Sequence, residues 1–260
     1  MNWITIYFSK RKLLHSSKIF FANHKNQFRE NTSEYQYSQH LVKFYEGWKE
    51  ETSDKYVFVS EYCPEGSLEQ EYWKRYEDGK GESYPEGDIM IIAYCILQGL
   101  EFLHKMNFTH RLLHMSNIVY AEGRFPKISD YCSLRHILID PGKLTPTEKV
   151  IYLPNEIKFK KKKEELAQNV GSFDIYSLGV ILYQLCFMED TVLQKEKDIL
   201  EKLKSKSYRE GLLMNIGKMI QQDEALRPTA QDLLSFCSKV RNGFIREKTV
   251  VHPNFCFNSL

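Results

Sequence analysis

Apolar positions along the chain follow two different periods, and the period changes once. In the first quarter they come as short runs, Ile4–Phe8, Val42–Tyr45 and Tyr56–Ser60, rich in Val, Phe and Tyr. Runs of this length and composition predict strands. A polar stretch, Asn23–Gln39, separates the first two runs and has the length of one helix. After Pro64-Glu65-Gly66 the pattern turns helical. Ile89, Ile92, Ala93, Ile96, Leu97, Leu100 and Leu103 form one stripe, which predicts a helix over Asp88–His104 with Asp88 as its N-cap. Phe173–Met188 predicts a second, strongly apolar helix. Gly211–Ile220 and Thr229–Val240 predict two more, with Thr229 placed to cap the last. Tyr120–Glu156 reads as loop-rich, and Ile245–Leu260, which lacks periodicity, reads as a tail. A small β-rich lobe (1–62) followed by a larger α-rich lobe (63–244) and a tail (245–260) is an α+β layout.

Composition narrows the function classes. The 36 Lys and Arg against 34 Asp and Glu leave a net charge of +2, so a protein devoted to nucleic-acid binding is disfavoured. Six cysteines, Cys63, Cys95, Cys132, Cys186, Cys237 and Cys256, are widely spaced and form no C-x-x-C pair, which predicts reduced, mostly buried thiols. No apolar run reaches the ~18 residues of a membrane span. Trp3–Phe8 precedes Lys10-Arg11-Lys12, the reverse of a secretory signal's order. An intracellular, cytoplasmic protein is the expectation.

Seven short strings then occur in a fixed order. The first four are Ser60-Glu61-Tyr62-Cys63-Pro64-Glu65-Gly66-Ser67-Leu68, Leu100-Glu101-Phe102-Leu103-His104, His110-Arg111-Leu112-Leu113-His114-Met115-Ser116-Asn117 and Ile128-Ser129-Asp130-Tyr131-Cys132. Tyr152-Leu153-Pro154-Asn155-Glu156, Asp174-Ile175-Tyr176-Ser177-Leu178-Gly179 and Leu226-Arg227-Pro228-Thr229 follow. Each alone is weak. Together they resemble the eukaryotic protein kinase domain, from its hinge to the last helix of its large lobe, over about 180 residues. The resemblance implies a two-lobe fold with a reduced N-terminal β lobe, and ATP with Mg²⁺ as the family's cofactors.

The departures bear on chemistry. The family's catalytic loop reads H-R-D-x-x-x-x-N, and its Asp accepts the proton of the substrate hydroxyl. His110 and Arg111 match, but Leu112 stands at the Asp position. A Leu side chain has no lone pair and cannot act as a base. The family's loop Lys is replaced by His114, which could carry a proton near neutral pH. Asn117 and Asp130 match the metal-binding Asn and Asp, so the resemblance makes them a candidate Mg²⁺ site. Tyr131 and Cys132 replace the Phe and Gly after that Asp, and Cys gives up glycine's free access to positive φ. A buried Tyr131 would need a partner for its hydroxyl.

At the other end, the family's strand-three Lys would be Lys10, with Glu30 as its ion-pair partner. The first glycine is Gly47, so the glycine-rich phosphate loop has no counterpart in this sequence. A truly reduced lobe and a truncated chain are both open, and either predicts an uncovered sheet edge that a partner or self-association would cover. The resemblance also places Ser60 as gatekeeper, Glu61 and Cys63 as adenine-facing hinge positions and Val119 as pocket floor. Glu156 and Arg227 would pair to fasten the activation segment, and Asp174 would hold the catalytic-loop backbone. His110, Tyr131 and Phe44 would stack between the lobes. Lys160, Lys161, Lys162 and Lys163 read either as a solvated insertion or as a docking patch for an acidic partner such as a tubulin tail, a phospholipid or RNA.

These residues predict a catalytically inactive kinase-like protein, a pseudokinase, that works through protein partners as scaffold, structural subunit or allosteric regulator. Losing the base alone would lower the rate roughly 10²–10⁴-fold. The alternative is a divergent ATP-dependent protein kinase that uses Asp130, Asn117 and Lys10.

Overall fold

The three β-forming runs pair into one antiparallel sheet. In the computed structural model, which describes residues 3–9, 38–49, 55–77, 82–106, 108–131, 151–154, 171–189, 201–202 and 207–237, these are β1 (Trp3–Ser9), β2 (Phe44–Lys49) and β3 (Lys55–Glu61). The sheet order is β1-β3-β2. On one side of β3 the register runs from Trp3 opposite Glu61 to Ser9 opposite Lys55. On the other it runs from Phe44 opposite Ser60 to Lys49 opposite Tyr56, with an irregularity between Phe44 and Glu46. The strand expected from Val42 starts two residues later. Val42 donates its N–H to the Ile128 carbonyl (2.9 Å), and Ile128 donates to the His40 carbonyl (2.8 Å), so residues 40–42 are claimed by the other lobe. The helix expected over Asn23–Gln39 falls almost wholly outside the described residues, as does the 245–260 tail.

The second lobe opens with α1 (Leu68–Glu77). Ser67 and Gln70 cap it reciprocally: the Ser67 N–H donates to Gln70 Oε1 (2.9 Å) and the Gln70 N–H to Ser67 Oγ (3.3 Å). The periodic stripe forms α2 (Glu86–Lys105). Its start corrects the sequence reading, because Pro85 occupies the cap position and Asp88 sits inside the first turn. Proline presets φ for helix entry, and the acidic Glu86 and Asp88 suit the positive end of the helix dipole. By length and composition α2 could cross a membrane. Its stripe is spent instead on the core, where Ile89, Ile92, Ile96 and Leu100 are fully buried.

The middle of the chain, expected as loop, contains a hairpin of β4 (Ile118–Ala121) and β5 (Phe125–Ile128). Gly123 takes φ 73° in the turn between them, a conformation open to glycine without strain. The apolar helix α3 (Gly171–Phe187) is buried along its whole length from Ser172 onward. It packs on α4 (Glu210–Met219) so closely that a Cβ on Gly179 would lie 2.8 Å from Ile220 and Met219. The last helix, α5 (residues 230–237), begins at a capping box. There Asp232 donates its N–H to Thr229 Oγ1 (3.2 Å) and accepts from the Thr229 N–H (3.0 Å). The Thr229 hydroxyl, which donates to the Asp232 carboxylate at 2.6 Å, and then the Thr229 N–H hold that carboxyl below its usual range. The α+β expectation therefore holds, with a small antiparallel sheet beside a helical lobe whose core centres on α2 and α3.

Candidate functional site

The site is built where α2, α3 and the β4–β5 hairpin converge. Asp174, in the first turn of α3, is wholly buried. Its Oδ2 accepts the His110 N–H (2.9 Å) and its Oδ1 the Arg111 N–H (2.7 Å). His104 Nε2 lies 2.8 Å from Oδ2. One carboxylate thus satisfies two backbone donors and a ring, as a buried charge must be satisfied. Arg111 takes φ 64°, an uncommon conformation for a side-chain-bearing residue, held by this clamp and by its Nε bond to Thr109 Oγ1 (2.8 Å). His104 is a site residue that the sequence reading did not single out. It ends α2 against Gly171, where a Cβ would sit 3.1 Å from the imidazole.

The front of the same loop is spent on itself. His110 is buried, with Nε2 donating to the Ser129 carbonyl (2.9 Å) and Nδ1 accepting the Leu112 N–H (3.3 Å). Leu112, at the position a base would occupy, is buried and apolar. Asn117 Nδ2 donates to the Leu112 carbonyl (3.0 Å) and to His114 Nε2 (3.1 Å). An amide nitrogen only donates, so His114 Nε2 is the acceptor and Nδ1–H donates to Ser116 Oγ (2.7 Å). Both ring nitrogens of His114 therefore serve the loop. The Asn117 carbonyl accepts from the Ser129 N–H (2.8 Å), which brings Asp130 beside it. Asp130 is exposed and takes φ 61°. The buried Tyr131 donates its hydroxyl to the Val42 carbonyl (2.6 Å), the partner its burial requires, and this bond ties the turn to the segment leading into β2. Cys132 lies outside the described residues.

The oxygens of the type a divalent cation takes are the Asp130 carboxylate and Asn117 Oδ1, while Asn117 Nδ2 is bonded to the Leu112 carbonyl and His114. Hard oxygen donors of this kind fit Mg²⁺, which is typically held by one or two protein oxygens plus water and phosphate. Among the described residues no group of three His, Cys, Asp or Glu side chains gathers as a metal cluster.

At the hinge, the Glu61 N–H donates to the Lys43 carbonyl (2.8 Å), and its carboxylate accepts the Lys43 N–H (2.9 Å). The same carboxylate takes two bonds from Lys127 Nζ (2.6 and 2.8 Å). Ser60 pairs with Ile4 and Phe44 in the sheet, and Val119 in β4 lies opposite Lys127. Burial and the Glu61 charge push the Cys63 thiol up to about 11. Cys95, Cys186 and Cys237 are buried. His40 is buried and stacked on Phe125 (5.0 Å), and burial together with Lys127 lowers it to about 4. Lys10 and Glu30 lie outside the described residues, as do Lys160, Lys161, Lys162 and Lys163. Arg227 is buried, donating to the carbonyls of Gln221 (2.8 Å), Ser172 (3.3 Å) and Gln222 (3.3 Å), with its guanidinium over the Tyr176 ring. Glu156, its expected partner, also lies outside the described residues.

The sequence profile of the protein kinase domain matches residues 10–243. The mouse serine/threonine-protein kinase Nek3 is 33% identical over 152 residues, covering 57% of this chain and 27% of the relative. The human serine/threonine-protein kinase Nek11 is 25% identical over 203 residues, covering 75% of this chain and 30% of the relative. The mouse interferon-induced, double-stranded RNA-activated protein kinase is 26% identical over 194 residues, covering 70% of this chain and 34% of the relative. The chain thus spans about a third of the length of these curated relatives. A profile match across most of the chain, on a small sheet joined to a helical lobe, places it: the chain belongs to the protein kinase domain family.

Proposed function

We propose that this kinase-domain protein is a pseudokinase that acts by binding a protein partner, as scaffold, structural subunit or allosteric regulator. The observation that carries the reading is the buried Leu112 where the catalytic loop needs an oxygen base. The two nearby imidazoles offer no substitute, because each has both nitrogens bonded within the site. Phosphoryl transfer rests mostly on positioning and charge, so the loss of the base slows the reaction by roughly 10²–10⁴-fold without touching the fold.

A second reading, a divergent ATP-dependent kinase using Mg²⁺, is supported by Asp130 and Asn117, which carry oxygens of the type the metal takes and whose segments are joined by the Ser129 N–H bond to the Asn117 carbonyl. Transfer of radiolabel from ATP to the chain itself and to a generic acceptor protein, with Mg²⁺ or Mn²⁺, separates the two. The expected result is no transfer above that of an Asp130→Ala chain. Transfer by the unaltered chain that Asp130→Ala abolishes would overturn the first reading in favour of the second. A thermal-shift titration with ATP adds whether nucleotide binds at all, since a ligand at a hundredfold its dissociation constant stabilises by ~2.7 kcal/mol.

A further inference from the structure

Of the five large apolar side chains that the described residues expose, two stand together on α1: Trp73, 36% exposed, and Tyr76, 47% exposed. Aromatic surface held in contact with water in this way marks an interaction face. The two rings meet edge to face, with 5.6 Å between centroids and 79° between planes. The buried Tyr72 supports both, its ring centroid 5.5 Å from that of Trp73 and 6.5 Å from that of Tyr76. Two ring planes at nearly a right angle form a corner, and aromatic faces attract cations. Glu69 stands four residues before Trp73 and Glu77 four after, so the three side chains share one ridge of the helix. Glu69 is half-buried and Glu77 exposed, and among the described residues neither carboxylate has an ion-pair partner. The cations of α1 lie off this ridge. Lys74 is about 100° further round the helix than Trp73. Arg75 is turned to the opposite side, with its guanidinium 4.3 Å over the Tyr84 ring.

We propose that this ridge docks a basic, extended segment of a partner polypeptide, with cationic side chains at alternate positions. The central cation enters the Trp73–Tyr76 corner, and the outer two meet Glu69 and Glu77. Charge selects the occupant. A second copy of α1 would set the same two carboxylates against these, and a nucleic acid or an anionic membrane would be repelled by them. The spacing selects its form. Residues four apart on a helix carry Cβ atoms roughly 5–6 Å apart. Every second side chain of an extended chain repeats at roughly 6.6 Å, so the two rows stay in step over three positions. The face uses no residue of the catalytic loop, so the proposal stands whether or not the chain transfers phosphate.

The test uses the full chain carrying nitrogen-15-labelled tryptophan, with the Trp73 indole assigned by its loss in Trp73→Phe. The probe is a fluorescein-tagged heptapeptide with lysine at its second, fourth and sixth positions and serine elsewhere, titrated at constant ionic strength. The expected result is a saturable shift of the Trp73 indole. Affinity, read by fluorescence anisotropy, should fall roughly tenfold in the double variant Glu69→Gln/Glu77→Gln, the scale of two lost surface ion pairs. It should fall roughly two- to fivefold in Trp73→Leu, the scale of one exposed cation–π contact. These side chains lie on the surface, so the variants should melt with the unaltered chain. A heptapeptide of the same composition with its three lysines consecutive should bind more weakly. A Trp73 indole that does not move, an affinity unchanged in the glutamate variants, or equal binding by the consecutive-lysine peptide would overturn the proposal. So would an equal shift with butylammonium at the same cation concentration, which would assign a small free amine. A Trp73 shift on raising the chain concentration alone would assign a second copy and overturn it as well.

Discussion

The back and front of the loop over residues 110–117 obey opposite rules. At the back, the fully buried Asp174 carboxylate is met by three donors: two backbone N–H groups and the His104 ring. At the front, the position that faces chemistry in this family holds Leu112, and the loop's polar side chains turn inward on one another. Holding a loop in a strained conformation and abstracting a proton from a substrate are separable tasks. The first needs a carboxylate behind the backbone. The second needs one in front of it. Here only the first is present, so the shape of a kinase loop stands without the group that would make it a base.

Removing the back should hurt most. Asp174→Ala strands two backbone donors and His104 in the interior, and we expect a loss of about 3–5 kcal/mol in urea unfolding, the range for breaking one side of a buried charged network. A loss below 1 kcal/mol would mean that the clamp is not what holds the loop.

The join between the lobes should show next, through pH. His40 is held at about 4 in the folded chain against about 6.5 unfolded, so the unfolded chain binds the proton first. Its contribution is complete above pH 6.5 and is lost as pH falls from 6.5 toward 4, by about 3 kcal/mol over that window. His40→Phe, which keeps the stack on Phe125, should flatten the pH dependence of stability there. An unchanged slope would show that His40 is not the group responsible.

Two smaller effects sharpen the comparison. Tyr131→Phe removes the hydroxyl bond to Val42 and leaves that carbonyl unmatched, for a loss of roughly 1–2 kcal/mol. Hydrogen exchange should report it as faster opening around the turn after Ser129. Thr229→Ala removes only the cap of α5, and about 1 kcal/mol is expected from thermal melting.

What could be read from sequence follows from the range of the interaction. The stripe of α2 and the apolar run of α3 are local patterns, and both helices form within two residues of their expected limits. The β4–β5 hairpin is less visible, because its strands have four residues each and one carries Pro126. The start of α1 did have a local signal, Ser67 followed three residues later by Gln70. The motif residues of the site were legible by type and order. Their bonding was not. His104 meets Asp174 across 70 positions, and Lys127 meets Glu61 across 66, so neither pair leaves a mark in any short window. Asp88 misled for a related reason: a good capping side chain lost its place to Pro85, whose backbone suits the helix entry without one.

The account rests on the front of the loop having spent its polar groups. Nitrogen-15 NMR of the histidine rings tests that directly. The structure requires opposite neutral tautomers, Nε2–H in His110 and Nδ1–H in His114, with His114 Nε2 coupled as an acceptor to the Asn117 amide. Finding that pair would establish that neither imidazole is available as a base. An Nε2–H tautomer in His114, with no coupling to Asn117, would contradict the account and return His114 to the list of groups able to serve the chemistry.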